Sequence, residues 1–100
     1  MSACRKHRFL LFVDGDSLLG RRALKNFQDT ADGLFQDGYS LEVVDIFKAP
    51  ERTEAFRVMA APTLLLLAPM PQMRIIGDMR DREQLRKVLG KVGHGEEGAA

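Results

Sequence analysis

The chain has 100 residues, which fits a single domain with a core large enough to fold alone. Hydrophobic residues make up 45% and charged residues 29% of the sequence, and the formal net charge is +1, so composition gives no reason to expect a nucleic acid or a membrane as a partner. Cys4 is the only cysteine, which excludes an internal disulfide, a CxxC redox pair and a cysteine-based zinc site.

The N-terminal segment, residues 1–7, predicts a basic tail. The apolar run that follows it covers only residues 9–13 and ends at Asp14, which is too short for a secretory signal peptide. No run in the sequence approaches the ~20 apolar residues of a membrane-spanning helix. Together with the lone cysteine, this indicates a cytoplasmic protein.

The first half of the sequence predicts a strand, a helix and a second strand. Residues 9–13 are apolar at every position, as expected for a strand covered on both faces. Asp16 or Ser17 can cap the helix that follows, and apolar residues at helical spacing predict that it covers residues 17–36. Residues 41–47 form the second strand, with Leu41, Val43 and Phe47 on one face. A right-handed crossover makes the two strands parallel.

The second half predicts a weaker helix, two strands and a last helix. Phe56, Val58 and Met59 indicate a short helix between Pro50 and Pro62. Residues 63–67 and 73–76 then form an antiparallel hairpin, because the prolines between them cannot donate hydrogen bonds to a sheet. Asp81 and Gln84 are spaced like the residues of a capping box, which predicts a helix over residues 81–91. We expect one domain over residues 8–92 and a flexible tail over residues 93–100.

The element order β-α-β-α-β-β-α is that of an α/β thioredoxin-like domain, with a mixed four-stranded sheet and helices on both faces. Pro62 lies where such domains carry a cis proline before the third strand, so we expect a cis peptide bond there. The turn after the first strand, where redox cysteines would lie, contains Asp14, Gly15 and Asp16 instead.

No residues in the sequence are arranged for catalysis or cofactor binding. Asp14 and Asp16 flank a glycine and could suggest a cation site, but helix capping and a glycine turn explain them better. His7 and His94 lie in or near the terminal tails without catalytic neighbours. Phosphate-binding glycine motifs are absent. We therefore expect neither catalysis nor a metal or cofactor.

Several sequence segments together resemble the KaiB family of circadian clock proteins. The resemblance is carried by Arg74-Ile75-Ile76-Gly77-Asp78 and the Asp81-Arg82-Glu83 that follows it, by Ala61-Pro62-Thr63-Leu64, by Phe12-Val13-Asp14-Gly15, and by the stretch from Leu41 to Pro50. These segments occur in the family's order and cover roughly residues 8–90. The resemblance also assigns structural roles to Gly15, Pro62, Gly77 and Asp78.

The resemblance implies a non-catalytic regulator of a circadian clock or timing system. KaiB proteins in their thioredoxin-like state dock onto the first ATPase domain of the hexameric KaiC ring, with one copy per subunit, so a KaiC-like ATPase is the expected partner. The candidate partner-binding residues are basic: Arg22, Lys25, Lys48, Arg57 and Arg74. Without the resemblance, most of these charges would be interpreted as a solvated surface.

Two aspects of the expected function remain open. The second strand of cyanobacterial KaiB also captures KaiA by strand pairing, but Ser40 and Glu42 stand here and Glu42 reverses the family's basic charge. A KaiA-like partner is therefore doubtful. The alternative function is a KaiB-like module in a stress response or in histidine-kinase signalling without a true clock.

The resemblance also raises the question of the resting fold. Cyanobacterial family members rest as tetramers in an alternative ground-state fold with a rearranged C-terminal half. They carry a glycine and an aspartate where this chain has Val88 and Gly90. Val88 favours the last helix and Gly90 is expected to cap its end. We therefore predict a thioredoxin-like, monomeric resting state, with a homo-oligomer as the alternative.

Overall fold

A computed structural model describes residues 7–36, 38–68 and 72–93 of the chain. The predicted thioredoxin-like, α/β order is confirmed. The elements in chain order are β1 His7–Val13, α1 Leu18–Leu34, β2 Tyr39–Asp45, α2 Pro50–Ala55, β3 Thr63–Ala68, β4 Met73–Ile76 and α3 Arg82–Gly93.

The four strands form one mixed sheet in the order β2-β1-β3-β4. β1 runs parallel to β2 and antiparallel to β3, and β3 and β4 form an antiparallel pair. β1 and β3 are therefore central and almost wholly buried. β2 and β4 are the two edges of the sheet, and each pairs with a neighbour on one side only.

The larger core lies between the sheet and helices α1 and α3. α1 begins at its N-cap Ser17, whose hydroxyl accepts a hydrogen bond from the N–H of Gly20 at 3.0 Å. Its buried residues recur at helical spacing and face α3 and the sheet: Gly20, Ala23, Phe27 and Ala31. Leu85 and Leu89 bring α3 into the same core. The apolar stripe of each helix thus explains its position.

The smaller core lies on the opposite face of the sheet. Leu10, Phe12, Val44 and Leu65 form it, and Phe56 and Val58 pack against it from the segment after α2. α2 ends at Ala55 and is therefore shorter than predicted. The positive φ of 56° at Arg57 is incompatible with a continuing right-handed helix. The predicted presence of helices on both faces is confirmed.

Several boundaries differ from the sequence prediction. Phe47 lies outside β2 and is 72% exposed, so it does not share a face with Leu41. His7 belongs to β1, where its ring lies 4.4 Å from that of Phe35, and is not part of a tail. α3 continues through Gly90 to Gly93, so the prediction that Gly90 caps the helix is wrong. Residues 1–6 and 94–100 of the predicted tails lie outside the described residues.

Candidate partner-binding surface

Four connecting segments meet at one end of the sheet. The parallel strands β1 and β2 both end there, at Val13 and Asp45. Thr63 starts β3 beside Phe12 and pairs on its other side with Ile76, which ends β4. The topology therefore places the connecting segments 14–17, 46–49, 56–62 and 77–81 at the same end.

Exposed apolar side chains are concentrated at this end. Among the described residues the large exposed hydrophobic side chains are Leu18, Leu19, Val43, Phe47, Met59 and Ile76, and all except Val43 lie in or next to these four segments. Phe47 is 72% and Met59 94% exposed. We call the group formed by Leu18, Leu19, Phe47 and Met59 the apolar end surface. A cluster of large exposed apolar side chains is typical of a binding site.

One carboxylate holds two of the segments together. Oδ1 of Asp45 accepts hydrogen bonds from the N–H groups of Gly15, at 3.2 Å, and Phe47, at 2.9 Å. Gly15 has a φ of +65°, which glycine adopts without the steric cost that a side chain would add. Asp45 was not identified from the sequence, because a single aspartate within a predicted strand gives no signal for a contact 30 residues away in the chain.

The segment before β3 is tied down by Arg74. Its guanidinium donates to the carbonyl oxygens of Phe56, at 2.7 Å, and Arg57, at 3.1 Å. The segment also contains the cis peptide bond between Ala61 and Pro62. The hydroxyl of Thr63 donates to the carbonyl oxygen of Ala60 at 2.6 Å. Arg74 therefore positions the exposed Met59 segment and is not a free surface cation.

The other predicted basic residues are distributed unevenly. Lys48 follows Phe47 and Arg57 precedes the Met59 segment, and both are exposed beside the apolar end surface. Arg22 is exposed one turn after Leu18. Lys25 lies a further turn along α1, where its ammonium group forms an ion pair with Asp29 at 3.2 Å. The structure thus brings Arg22, Lys48 and Arg57 towards this end and leaves Lys25 engaged elsewhere.

The segment after β4 is fixed to α1. Gly77 has a φ of +112°, and its N–H donates to the carbonyl oxygen of Pro62 at 2.8 Å. The carbonyl oxygen of Asp78 accepts from Nδ2 of Asn26 at 2.8 Å. Arg82 donates to Oδ1 of the same asparagine at 3.1 Å and to Asp29 at 2.9 Å. Asn26 and Arg82, which sequence reasoning did not single out, therefore connect α1 to the start of α3.

Two buried carboxylate oxygens at this end have no hydrogen-bond donor within the described part of the chain. They are Oδ1 of Asp14, after β1, and Oδ2 of Asp78, after β4. An unsatisfied buried acceptor is costly to folding and is often found at a functional site. Over residues 7–36, 38–68 and 72–93, no three histidine, aspartate or glutamate side chains form a possible metal site.

The predicted β2 edge lies on another side of the molecule. Ser40 and Glu42 are exposed there. Glu42 accepts a two-pronged hydrogen bond from Arg52, at 2.6 and 3.0 Å, which lowers the pKa of its carboxyl group. The reversed charge of Glu42 is thus balanced within the chain.

In the described ranges, no helix is both long and apolar enough to cross a membrane.

Comparison with known proteins identifies a family and a fold. A family model described as KaiB domain matches residues 10–91. The chain is 39% identical to the circadian clock oscillator protein KaiB of Prochlorococcus marinus (strain MIT 9313) over 85 residues, covering 85% of this chain and 71% of that protein. It is 38% identical to the protein of the same name from Synechococcus elongatus, covering 85% and 83% of the two chains.

Solved structures agree on the fold. The N-terminal domain of Synechococcus elongatus SasA superimposes with a TM-score of 0.73 at 22% identity, covering 87% of this chain and 82% of that domain. Thioredoxin from Fasciola hepatica has a TM-score of 0.68 at 16% identity and covers 87% and 81% of the two chains. These likenesses concern the thioredoxin-like fold alone.

Proposed function

The chain belongs to the KaiB family, and from this premise we propose that it is a non-catalytic clock regulator that binds the ATPase ring of a KaiC-like protein. The observation that carries the proposal is the apolar end surface, which leaves Phe47 and Met59 exposed on anchored segments. Large apolar side chains on segments whose backbone is already held in place make effective anchors, because less backbone conformational entropy is lost on association.

Charge supplies the second part of the proposed interface. Arg22, Lys48 and Arg57 flank the apolar residues, and their positive charge complements an acidic surface on the first ATPase domain of the partner. Exposed charges of this kind steer association and fix orientation more than they add affinity. We expect the apolar side chains to determine the dissociation rate and the cations to determine the association rate.

The proposed binding state is a cytoplasmic monomer. The β2 edge, which would pair with a second copy or with a KaiA-like partner, carries the Glu42–Arg52 ion pair. Charged side chains on an edge strand oppose pairing with another sheet. This feature supports a monomer and agrees with the doubt about a KaiA-like partner.

The test is binding of the full chain to the KaiC homologue of its own host, measured by biolayer interferometry. The double variant Phe47→Ser, Met59→Ser should weaken the affinity at least tenfold, chiefly through faster dissociation, because both side chains are exposed and their loss spares the core. The matched control is Val43→Ser, because Val43 is an exposed apolar residue that lies on β2 and outside the four connecting segments.

A second arm tests the cations. Arg22→Glu with Lys48→Glu should slow association and reduce its dependence on salt, whereas Arg86→Glu with Lys87→Glu, exposed on α3, should not. Wild-type affinity in the Phe47, Met59 variant would refute the proposed surface. Absence of binding by the wild-type chain would refute the KaiC-like partner and favour a signalling role without a clock.

A further inference from the structure

A groove runs between β4 and α3, on the side of the molecule opposite the β2 edge. It has a volume of about 430 Å³ and is lined by residues 74–81 together with Gln84, Leu85 and Val88. Ile75 packs towards the larger core from β4, and Val88 is half-buried on α3. The groove therefore has a strand along one wall and an amphipathic helix along the other.

The strand that forms this wall has a free backbone edge. β4 pairs with β3 through Leu64 and Ile75, and the bond from the N–H of Gly77 to the oxygen of Pro62 identifies the hydrogen-bonded positions of this ladder. Such positions alternate along an antiparallel strand. The N–H and C=O groups of Arg74 and Ile76 therefore point away from β3, towards the free edge.

The β4 edge is less protected than the β2 edge. β2 carries the Glu42–Arg52 ion pair, whereas the guanidinium of Arg74 is turned towards the carbonyl oxygens of Phe56 and Arg57. Ile76 is an exposed apolar residue at the end of β4. An edge strand with apolar side chains and free backbone N–H and C=O groups can accept another strand beside it.

Asp78, one of the residues that line the groove, carries a buried oxygen that lacks a hydrogen-bond donor within the described part of the chain. The side chain of Asp78 is 9% exposed, and its Oδ2 has no hydrogen-bond partner among the described residues. Its other oxygen, Oδ1, is 3.4 Å from Nε of Arg80, whose side chain is 79% exposed. A contact of that length to an exposed side chain is weak. The carboxylate is thus held beside the strand edge with most of its hydrogen-bonding capacity unused.

We propose that this groove binds an extended peptide segment of a partner protein as a fifth strand beside β4, with an arginine or lysine side chain of that segment paired to Asp78. The backbone groups of Arg74 and Ile76 supply the strand pairing. An apolar side chain of the segment lies between Ile75 and Val88. The basic side chain is favoured because a buried carboxylate gains more from a charged donor than from a neutral one.

This inference stands apart from the proposed function, because it uses the β4 edge and none of the residues of the apolar end surface. The probes are two capped tripeptides, valine-arginine-valine and its citrulline counterpart, which has the same shape without the positive charge. Each is titrated into the full chain labelled with ¹⁵N. We expect saturable binding in which the amide protons of Arg74 and Ile76 move downfield and that of Ile75 moves much less.

The arginine peptide should bind about tenfold more tightly than the citrulline peptide. Asp78→Asn should remove this preference. The matched control is Asp81→Asn, which removes the same charge at the groove but leaves an oxygen to accept the N–H of Gln84 as the helix cap. The control should keep the preference.

Three results would overturn the proposal. They are shifts that do not alternate along β4, equal affinity of the two peptides for the wild-type chain, and a preference that survives Asp78→Asn. The comparison of peptides on the wild-type chain decides the role of charge even if the Asp78 variant does not fold. Binding of the Asp78→Asn variant to a KaiC homologue is measured in parallel. Unchanged affinity there shows that this groove is separate from the proposed clock interface.

Discussion

Replacing Gly90 by alanine should stabilise the thioredoxin-like state through α3. Gly90 lies within the helix Arg82–Gly93, and a Cβ atom added there would meet nothing within 4 Å. The substitution therefore neither creates a clash nor adds a contact. Only helix propensity changes, and it favours alanine over glycine by about 0.8–1 kcal/mol in a helix interior. Because Gly90 is close to the end of α3, we expect about 0.5–1 kcal/mol.

The matched control is Gly33→Ala in α1, where an added Cβ atom also meets nothing within 4 Å. Urea denaturation followed by circular dichroism should show a higher midpoint for both variants, with unchanged slopes. We expect the two variants to differ in their effect on the resting fold, because the rearrangement expected from the resemblance to cyanobacterial family members concerns the C-terminal half. Gly90→Ala should shift that equilibrium about two- to fivefold towards the thioredoxin-like state. Gly33→Ala should not.

If the wild-type chain already rests in the thioredoxin-like state, a stabilising variant cannot show a further shift between the two folds. A glycine introduced into α3 destabilises the helix and makes that shift measurable. Lys87 is exposed on α3, so Lys87→Gly costs about 0.5–0.8 kcal/mol of helix propensity without loss of packing. In the wild-type chain, chemical shifts over residues 82–93 should indicate a helix, and light scattering should indicate a monomer. In the Lys87→Gly variant, the same measurements should show a larger population of the alternative fold. A wild-type tetramer without helix there, or no stabilisation by Gly90→Ala, would refute the reasoning.

Two further predictions concern α1 and its neighbours. Gly20→Ala should lower the free energy of unfolding by about 1 kcal/mol, because its Cβ would lie 3.1 Å from side-chain atoms of Val13 and Ser17 and overpacking outweighs the helix-propensity gain; a raised urea midpoint would contradict this. Burial, with a hydrogen bond to Asp32, raises the pKa of Tyr39 to about 12. The free energy of unfolding that this raised pKa contributes should therefore be fully present below pH 10 and be lost as the pH rises towards 12. Tyr39 is the only tyrosine, so ultraviolet titration reads its pKa directly; Asp32→Asn should lower the midpoint, and an ordinary midpoint in the wild-type chain would disprove the coupling.

The regular elements of the fold could be predicted because their causes are local. The uninterrupted apolar run after Arg8 indicates a strand covered on both faces, and Phe9 to Val13 are all buried. Ser17, proposed as one of two caps, is the N-cap of α1. Asp81 accepts the N–H of Gln84 at 3.1 Å, as the capping spacing predicts. In each case residues within one turn or one strand determine the structure.

The errors arise where distant residues decide. Phe47 continues the apolar pattern of β2, yet Asp45 accepts hydrogen bonds from Phe47 and Gly15 and ends the strand. Gly90 resembles a helix cap, but it does not adopt the positive φ of a C-terminal cap, and α3 continues past it to Gly93. A glycine near the end of an apolar helical pattern is therefore not by itself a helix stop.

The candidate surface depends on distant contacts to an even greater degree. From the sequence, the same partner-binding role was expected of all five basic residues. In the structure, the guanidinium of Arg74 is hydrogen-bonded to two carbonyl oxygens, whereas Lys48 is exposed beside the apolar end surface. The apolar end surface is assembled from α1, the segment after β2 and the segment before β3, and no sequence window contains all three. Two of its residues, Phe47 and Met59, lie in segments whose backbone is held by hydrogen bonds from Phe47 to Asp45 and from Arg74 to Phe56 and Arg57. We therefore expect the hydrogen bonds made by Asp45 and Arg74 to contribute both to stability and to the shape of the candidate surface.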